Sequence, residues 1–150
     1  MFAFTILLFF AGCSANQPVE LYHHFPDGLW ERRNILSFEI PVEKDNRVVD
    51  VILIGILTPA FEWEKLNVNM TMKTPSGEER INEYSLKVKS PDGAFLGDMN
   101  DGNYHYTLPL KKRLNLSEKG VLVVQIENLV PRLHADGVSG IGIKVVDSGK

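Results

Sequence analysis

Leu66-Asn67-Val68-Asn69-Met70-Thr71-Met72 is the stretch of sequence that decides the fold. Apolar and polar side chains alternate strictly along it, which predicts a strand that buries one face and exposes the other. Thr74-Pro75-Ser76-Gly77 follows, with proline preset for the first corner of a turn and glycine at its exit. Apolar residues then recur between Ile81 and Val88. The pattern predicts an antiparallel hairpin.

The same period of two extends over the rest of the chain, and no long stretch has helical periodicity. Further strands are predicted at residues 36–40, 48–57, 104–110, 121–127 and 138–146. About seven to nine short strands at this spacing indicate an antiparallel β-sandwich, of either jelly-roll or immunoglobulin-like type. The predicted fold class is therefore all-β, with one domain over residues 21–150.

Local features add detail to these strands. The continuous apolar run at residues 48–57 predicts a central strand that is covered on both faces. Pro109 places its strand at a sheet edge, because proline cannot donate a ladder hydrogen bond. Residues 111–116 are predicted to form a short helical turn or crossing loop. Gly140 and Gly142 predict a bulge or a close backbone approach in the last strand.

The N-terminus has the features of an export signal. Residues 2–10 are uninterruptedly apolar, which is too short for a permanent transmembrane helix and suits the core of a signal peptide. Phe10-Ala11-Gly12-Cys13 follows and resembles the lipobox of bacterial lipoproteins. Residues 1–12 are therefore predicted to be a lipoprotein signal peptide, Cys13 the lipidated residue, and residues 13–20 a lipidated tether that attaches the domain to a membrane.

Two further expectations concern this leader. No Lys or Arg precedes the apolar run, so we expect the true start codon to lie upstream. Ser14 resembles the pattern that passes a lipoprotein to the outer membrane, and no acidic cluster follows Cys13. The predicted location is the outer membrane, facing the periplasm. The alternative for residues 2–13 is a buried strand that ends in a core cysteine.

Composition excludes one class of function and disfavours others. The net charge is −3 and no long basic run is present, so nucleic-acid binding is excluded. His23 and His24 are adjacent and would point to opposite sides of an extended segment, so no metal site is predicted. No nucleophile elbow or zinc-protease motif occurs. We therefore expect a protein that is not an enzyme and has no cofactor.

Aromatic residues offer candidate contact sites. Trp30, Phe61 and Trp63 are candidates for contact with a partner protein or a glycan. The alternative for Trp30 is that it plugs one end of the sandwich, with its indole N–H bonded to backbone. Trp63 lies between charged residues in a predicted loop and is the better candidate for exposure.

Several segments, in order and spacing, resemble the gliding-motility lipoprotein H family of Bacteroidetes. They are Tyr22–Trp30, Val51–Leu57 with the following Phe61-Glu62-Trp63-Glu64, Met70–Gly77, Ser90–Gly97, and Val138–Val145. The resemblance covers most of residues 13–147. It implies an outer-membrane lipoprotein linked with gliding motility and the type IX secretion machinery, and it implies no catalytic residues.

The sequence therefore predicts a non-enzymatic accessory or structural component of the gliding and secretion apparatus. Its expected partners are the membrane, through the lipid anchor, and other envelope or motility proteins. The alternative is a lipid-anchored carbohydrate-binding module. Lys111-Lys112-Arg113 is interpreted as a solvated corner, with contact to anionic lipid headgroups as its alternative.

Overall fold

The computed structural model describes residues 18–148, and every regular element among them is a strand. The strands are β1 (Val19–His24), β2 (Leu29–Glu31), β3 (Leu36–Val42), β4 (Arg47–Leu57), β5 (Lys65–Lys73), β6 (Glu79–Lys87), β7 (Asp98–Asn100), β8 (Asn103–Leu116), β9 (Gly120–Asn128), β10 (His134–Asp136) and β11 (Val138–Asp147). The predicted signal peptide and Cys13 lie outside the described residues.

Two sheets face each other in a sandwich. One sheet has the order β1-β11-β4-β8-β7 and the other has the order β3-β9-β5-β6, while β2 and β10 form a separate two-stranded ribbon. Among the eight long strands the first pairs with the last, β3 with β9, β4 with β8, and β5 with β6, all antiparallel. Such nested pairing is that of an antiparallel ribbon rolled upon itself. The all-β sandwich is confirmed, and its strand order is that of a jelly roll.

The core follows from the alternation in the sequence. In β3 the residues Leu36, Phe38, Ile40 and Val42 are buried while those between them are exposed. In β5 the side chains that alternate with Asn67, Asn69 and Thr71 are buried in the same way. The inner faces of both sheets contribute to one hydrophobic cluster. Burial of this apolar surface is the main favourable term in folding.

Other local predictions are confirmed. β4 is the middle strand of the five-stranded sheet, as predicted, but only its inner face is fully covered: on the outer face Ile54 is buried, whereas Val48 is exposed. The register of β11 shifts between Val138 and Gly140, which confirms the predicted irregularity. Pro109 pairs with Ile52 of β4. Among the described residues no strand pairs with the other side of β8 at Pro109, because β7 pairs with β8 only as far as His105, so Pro109 lies at a sheet edge as predicted.

Three sequence-based expectations are wrong. Residues 111–116 continue β8 as a strand, because Leu114 and Leu116 alternate into the core. Strands β1 and β2 precede residue 36, where the first of the predicted strands begins. Val19 and Glu20, which were assigned to the tether, belong to the sandwich, because they pair with β11.

The sandwich has two ends with different construction. At the tether end, β1 begins and short connections lie at residues 43–46, 74–78 and 117–119. At the opposite, distal end, longer segments at residues 25–35, 58–64 and 129–137 fold over the core. Among residues 18–148 there is no helix of the length and apolarity that a membrane span requires.

Candidate functional site

The β2–β10 ribbon closes the distal end of the sandwich. Trp30 in β2 pairs with Ala135 in β10, and both are fully buried. The Trp30 ring stacks on Phe25 with 5.8 Å between the ring centroids, and its Nε1–H donates to the Asn34 carbonyl at 2.8 Å. The prediction that Trp30 plugs the sandwich is confirmed. Its assignment as a contact residue is wrong, because none of its surface is exposed.

A buried amide holds this ribbon to the four-stranded sheet. Asn128, at the end of β9, is fully buried. Its Nδ2 donates to the carbonyl oxygens of Trp30 and Glu31 at 3.2 and 3.3 Å. A buried amide of this kind fixes the position of the chain that it bonds, because a buried carbonyl left without a donor is costly.

Phe61 lies beneath the surface of the same end. It is fully buried in the core cluster, and Gly137 packs directly against its backbone. A Cβ built on Gly137 would lie 2.3 Å from the Phe61 backbone nitrogen. The assignment of Phe61 as a partner or glycan contact is therefore wrong, because the segment that carries it folds into the sandwich.

Trp63 is the one member of the predicted trio that reaches the surface. It is half-buried, and its ring meets Phe61 edge-on with the centroids 5.5 Å apart. The Arg132 guanidinium lies 5.8 Å from the centroid of the Trp63 ring and bonds the Glu62 carboxylate at 2.7 Å. With Val130 and Pro131, Trp63 lines an open cleft of about 330 Å³. Because Arg132 occupies the neighbourhood of the ring, Trp63 does not present a bare stacking platform.

Beside this cleft, the distal end exposes apolar and cationic side chains together. Leu133 is 83% exposed, and Leu29 and Ile35 are also exposed. Arg32 and Arg33 line a groove of about 750 Å³ together with Leu133, His134 and the carboxylates of Glu31 and Glu127. Among residues 18–148, neither arginine has a carboxylate within ion-pair distance. We call Leu29, Arg32, Arg33, Ile35 and Leu133 the distal patch.

The match to a known family covers nearly all of this structure. A model of the GldH lipoprotein family matches residues 17–145, from before β1 to near the end of β11. The chain belongs to the GldH lipoprotein family. The resemblance found in the sequence is confirmed, and the chain is a gliding-motility-associated, lipid-anchored lipoprotein of the envelope. Because the match begins after Cys13, the lipidation of Cys13 itself stays a prediction.

Solved structures show only distant similarity to this GldH-family chain. Latent PorU from Porphyromonas gingivalis has a TM-score of 0.41 at 11% identity, over 89% of this chain and 13% of that one. AlgX from Pseudomonas aeruginosa has a TM-score of 0.36 at 10% identity, over 75% and 26%. The VP2 particle of infectious bursal disease virus has a TM-score of 0.37 at 12% identity, over 92% and 35%. The chain thus spans about an eighth to a third of these proteins. No curated protein matches the sequence significantly.

The segment Ser90–Gly97, one of those that carry the family resemblance, has a structural role. Ser90 N–H donates to the Ala94 carbonyl at 2.9 Å, and Leu96 N–H donates to the Val88 carbonyl at 2.8 Å. A Cβ at Gly97 would lie 2.6 Å from the Tyr106 ring. The Tyr106 hydroxyl donates to the Val88 carbonyl at 2.8 Å, and burial raises the pKa of this tyrosine. These contacts fix the position of the Tyr106 ring beneath the turn formed by Ser90–Gly97.

Histidines occupy separate surroundings. His23 packs against Phe25, while His24 stacks on Tyr22 on the other face of β1, as expected for neighbours on a strand. Within residues 18–148, no three His, Cys, Asp or Glu side chains come close enough to hold a metal ion.

Sequence reasoning missed the distal patch in this GldH-family chain. Arg32 and Arg33 directly follow β2, and Leu133 lies between Arg132 and His134. A leucine between an arginine and a histidine, after the Val-Pro pair at 130–131, is the sequence signal that was present. Its meaning depends on β2 pairing with β10, which the sequence does not show.

Proposed function

We propose that this protein is a non-enzymatic component of the gliding and type IX secretion apparatus that acts by binding another envelope protein through its distal patch. Cys13 anchors it in the outer membrane on the periplasmic side. The observation that carries the proposal is the placement of the patch. Leu133 and the two arginines lie at the end of the sandwich opposite the point where the chain enters from Cys13.

The composition of the patch indicates the chemistry of the partner. Arginine is enriched in protein interfaces, where charged residues of other types are depleted and a few residues carry most of the binding energy. Arg32 and Arg33 have no carboxylate partner within residues 18–148, and a planar guanidinium binds carboxylates with two parallel hydrogen bonds. Glu31 and Glu127 line the same groove, so the fitting partner is a protein segment that presents an apolar side chain with acidic groups for the arginines and hydrogen-bond donors for the two glutamates.

A lipid anchor makes a small patch sufficient. The anchor restricts the domain to a thin layer above the membrane, so the effective concentration of a partner in that layer is high. A contact that is weak in solution then becomes well populated. A protein that recruits or braces other components in this way has no need for a catalytic cleft.

The experiment compares two exposed apolar residues in the native host. Leu133→Ser changes the distal patch, and Ile81→Ser is the matched control, because Ile81 is 62% exposed on the edge strand β6. We expect the first variant to lose gliding and secretion at normal protein level, whereas the second retains both. Equal activity of the two variants contradicts the proposal. A second pair, Arg32→Gln with Arg33→Gln, separates charge from apolar contact.

The membrane part of the proposal has its own test. Replacing Cys13 with Ser removes the only thiol in the sequence. We expect the variant protein to leave the detergent-extracted outer-membrane fraction, and mass spectrometry of the wild-type N-terminus to find acyl chains on Cys13. Firm membrane retention of the variant refutes the anchor.

Glycan binding is the competing function, and Trp63 is the residue that would carry it. The cleft beside Trp63 is open, and its aromatic ring is partly exposed. A glycan array that shows tight binding, lost in Trp63→Ala and kept in Leu133→Ser, would replace the protein-contact proposal with this one.

A further inference from the structure

Strand β8 carries a bulge close to the tether end. The partners of Val49, Val51 and Ile52 in β4 are Leu114, Lys111 and Pro109, so β8 has extra residues on both sides of Lys111. Within the bulge Arg113 has a φ of 54°, a conformation that residues other than glycine seldom adopt. A β-bulge redirects side chains and is a built feature of a sheet.

Asp50 holds the bulge in place. Its Oδ1 accepts the backbone N–H of Arg113 at 2.8 Å and the hydroxyl of Ser148 at 2.6 Å. The Ser148 hydrogen bond and the Arg113 N–H keep the pKa of Asp50 below its ordinary value, so the carboxylate is ionised near neutral pH. The strained residue is therefore fixed by a charge-assisted hydrogen bond.

The bulge presents three consecutive cationic side chains. Lys112 and Arg113 are exposed and Lys111 is half-buried. Among the described residues, none of the three has a carboxylate within ion-pair distance. Asp50 offsets one of the three positive charges. The edge of β8 is uncovered here, because β7 pairs with β8 only over Asn103–His105.

The position of the bulge relates it to the tether. Val19, Val145, Val51 and Lys111 are successive partners in one row across the sheet. The row spans three strand spacings, so Lys111 lies about 15 Å from Val19 and level with it. Residues 13–18 can extend to about 20 Å. A bilayer that holds Cys13 is therefore within reach of the bulge.

We propose that Lys111, Lys112 and Arg113 bind the anionic headgroups of the membrane that holds the anchor, and so turn the β8 edge of the sandwich toward the lipid. The proposal rests on the lipid anchor of the proposed function. Attraction of a basic side chain to an anionic surface acts within a Debye length and weakens with salt. Headgroup phosphates supply the acceptors that lysine and arginine bind.

The test measures how close the β8 edge lies to the headgroups. Once Cys13 carries lipid, Asn115→Cys supplies a free thiol on this edge, and Asn115 is exposed. The full acylated protein, with a fluorophore on this thiol, is placed in vesicles of phosphatidylcholine or of an equal mixture of phosphatidylcholine and phosphatidylglycerol. Quenching by lipids that carry a spin label on the headgroup reports proximity. Flotation of the vesicles reports whether the chain is anchored.

We expect strong quenching in the anionic vesicles, weak quenching in the neutral ones, and loss of the difference at high salt. The double variant Lys111→Gln with Lys112→Gln should lower the equilibrium constant for edge contact about 30-fold. The matched control, Lys87→Gln with Lys89→Gln, removes the same charge at the distal end of β6 and just beyond it, and should leave quenching unchanged.

Each contrary result has a distinct meaning. Equal quenching in both vesicle types, with the protein still floating, overturns the headgroup proposal and leaves the anchor intact; the bulge then serves to protect the sheet edge. Loss of an envelope-protein crosslink in the Lys111 and Lys112 variant, without a change in quenching, also overturns it in favour of a protein partner. A chain that does not float refutes the anchor, and this proposal with it.

Discussion

The two ends of the jelly roll are closed by different kinds of connection between strands. At the tether end, short connections such as Thr74–Glu78 satisfy their own backbone groups, with Thr74 N–H donating to the Glu78 carbonyl at 2.9 Å. At the distal end, long segments fold inward and bury Trp30 and Phe61. A long loop that packs its own aromatic residues can display others in a fixed geometry. The connections of the distal end therefore carry both buried aromatic residues and exposed side chains, whereas those of the tether end are short and bonded within themselves.

The two tryptophans give the largest contrast. Trp30 is fully buried, so Trp30→Ala should lower the free energy of unfolding by about 3–5 kcal/mol, from lost burial and the cavity left behind. Trp63 is half-buried, so Trp63→Ala should cost about 1 kcal/mol. Urea unfolding followed by circular dichroism measures both. Equal losses would show that the distal end is not closed by Trp30.

Two glycines sharpen the comparison between the ends. Gly137 at the distal end and Gly77 at the tether end both have positive φ, of 78° and 92°. A Cβ on Gly137 would strike the Phe61 backbone, whereas one on Gly77 would meet no atom within 4 Å. Gly137→Ala should therefore cost about 2–4 kcal/mol, and Gly77→Ala about 1 kcal/mol from φ alone. Thermal unfolding of both variants tests this, and a reversed order would contradict the packing described for Phe61.

A substitution at Asn128 tests whether the stability of the β2–β10 ribbon depends on its hydrogen bonds to the four-stranded sheet. Asn128→Ala removes the side-chain donor to the carbonyls of Trp30 and Glu31 and should cost about 1–3 kcal/mol. Hydrogen exchange should show the loosening at β2 and β10, with the β5–β6 hairpin protected as before. Uniform loosening throughout the protein would contradict a local role.

The smallest effect concerns the bulge at the tether end and depends on pH. Hydrogen bonds from Ser148 and from Arg113 N–H lower the pKa of Asp50 in the folded state. Its contribution is therefore present above the unfolded pKa and is lost as the pH falls through the folded pKa, below about pH 4. The protection of the Arg113 amide against exchange, relative to its intrinsic rate at each pH, should fall in that acid range in the wild type. In Asp50→Asn this protection should already be lower at neutral pH and show no such acid step.

The sequence was sufficient to predict the strands in which buried and exposed side chains alternate. Strands β3, β5 and β9 were predictable because every second side chain enters the core. The ribbon of β2 and β10 was not, since each strand has three residues and its pairing exists only in three dimensions. Residues 111–116 were predicted to be a short helical turn or crossing loop because a bulge interrupts the alternation, although Leu114 and Leu116 resume it.

The candidate site was predictable only in part, for a similar reason. The sequence singled out Trp30, Phe61 and Trp63, and all three lie at the distal end. Exposure depends on how a loop folds, which residue type does not determine: Phe61 is buried, whereas Leu133 is exposed. The groove beside Arg32 and Arg33 depends on the pairing of β2 with β10, so the leucine between Arg132 and His134 does not indicate it on its own.

The most direct measurement places a photo-crosslinking amino acid at one end or the other of the protein in living cells. Leu133 marks the distal patch, and Ser76 marks the turn at the tether end. We expect position 133 to crosslink to a specific envelope protein and position 76 not to do so. A specific protein crosslink at position 76 with none at position 133 would contradict the assignment of the two ends.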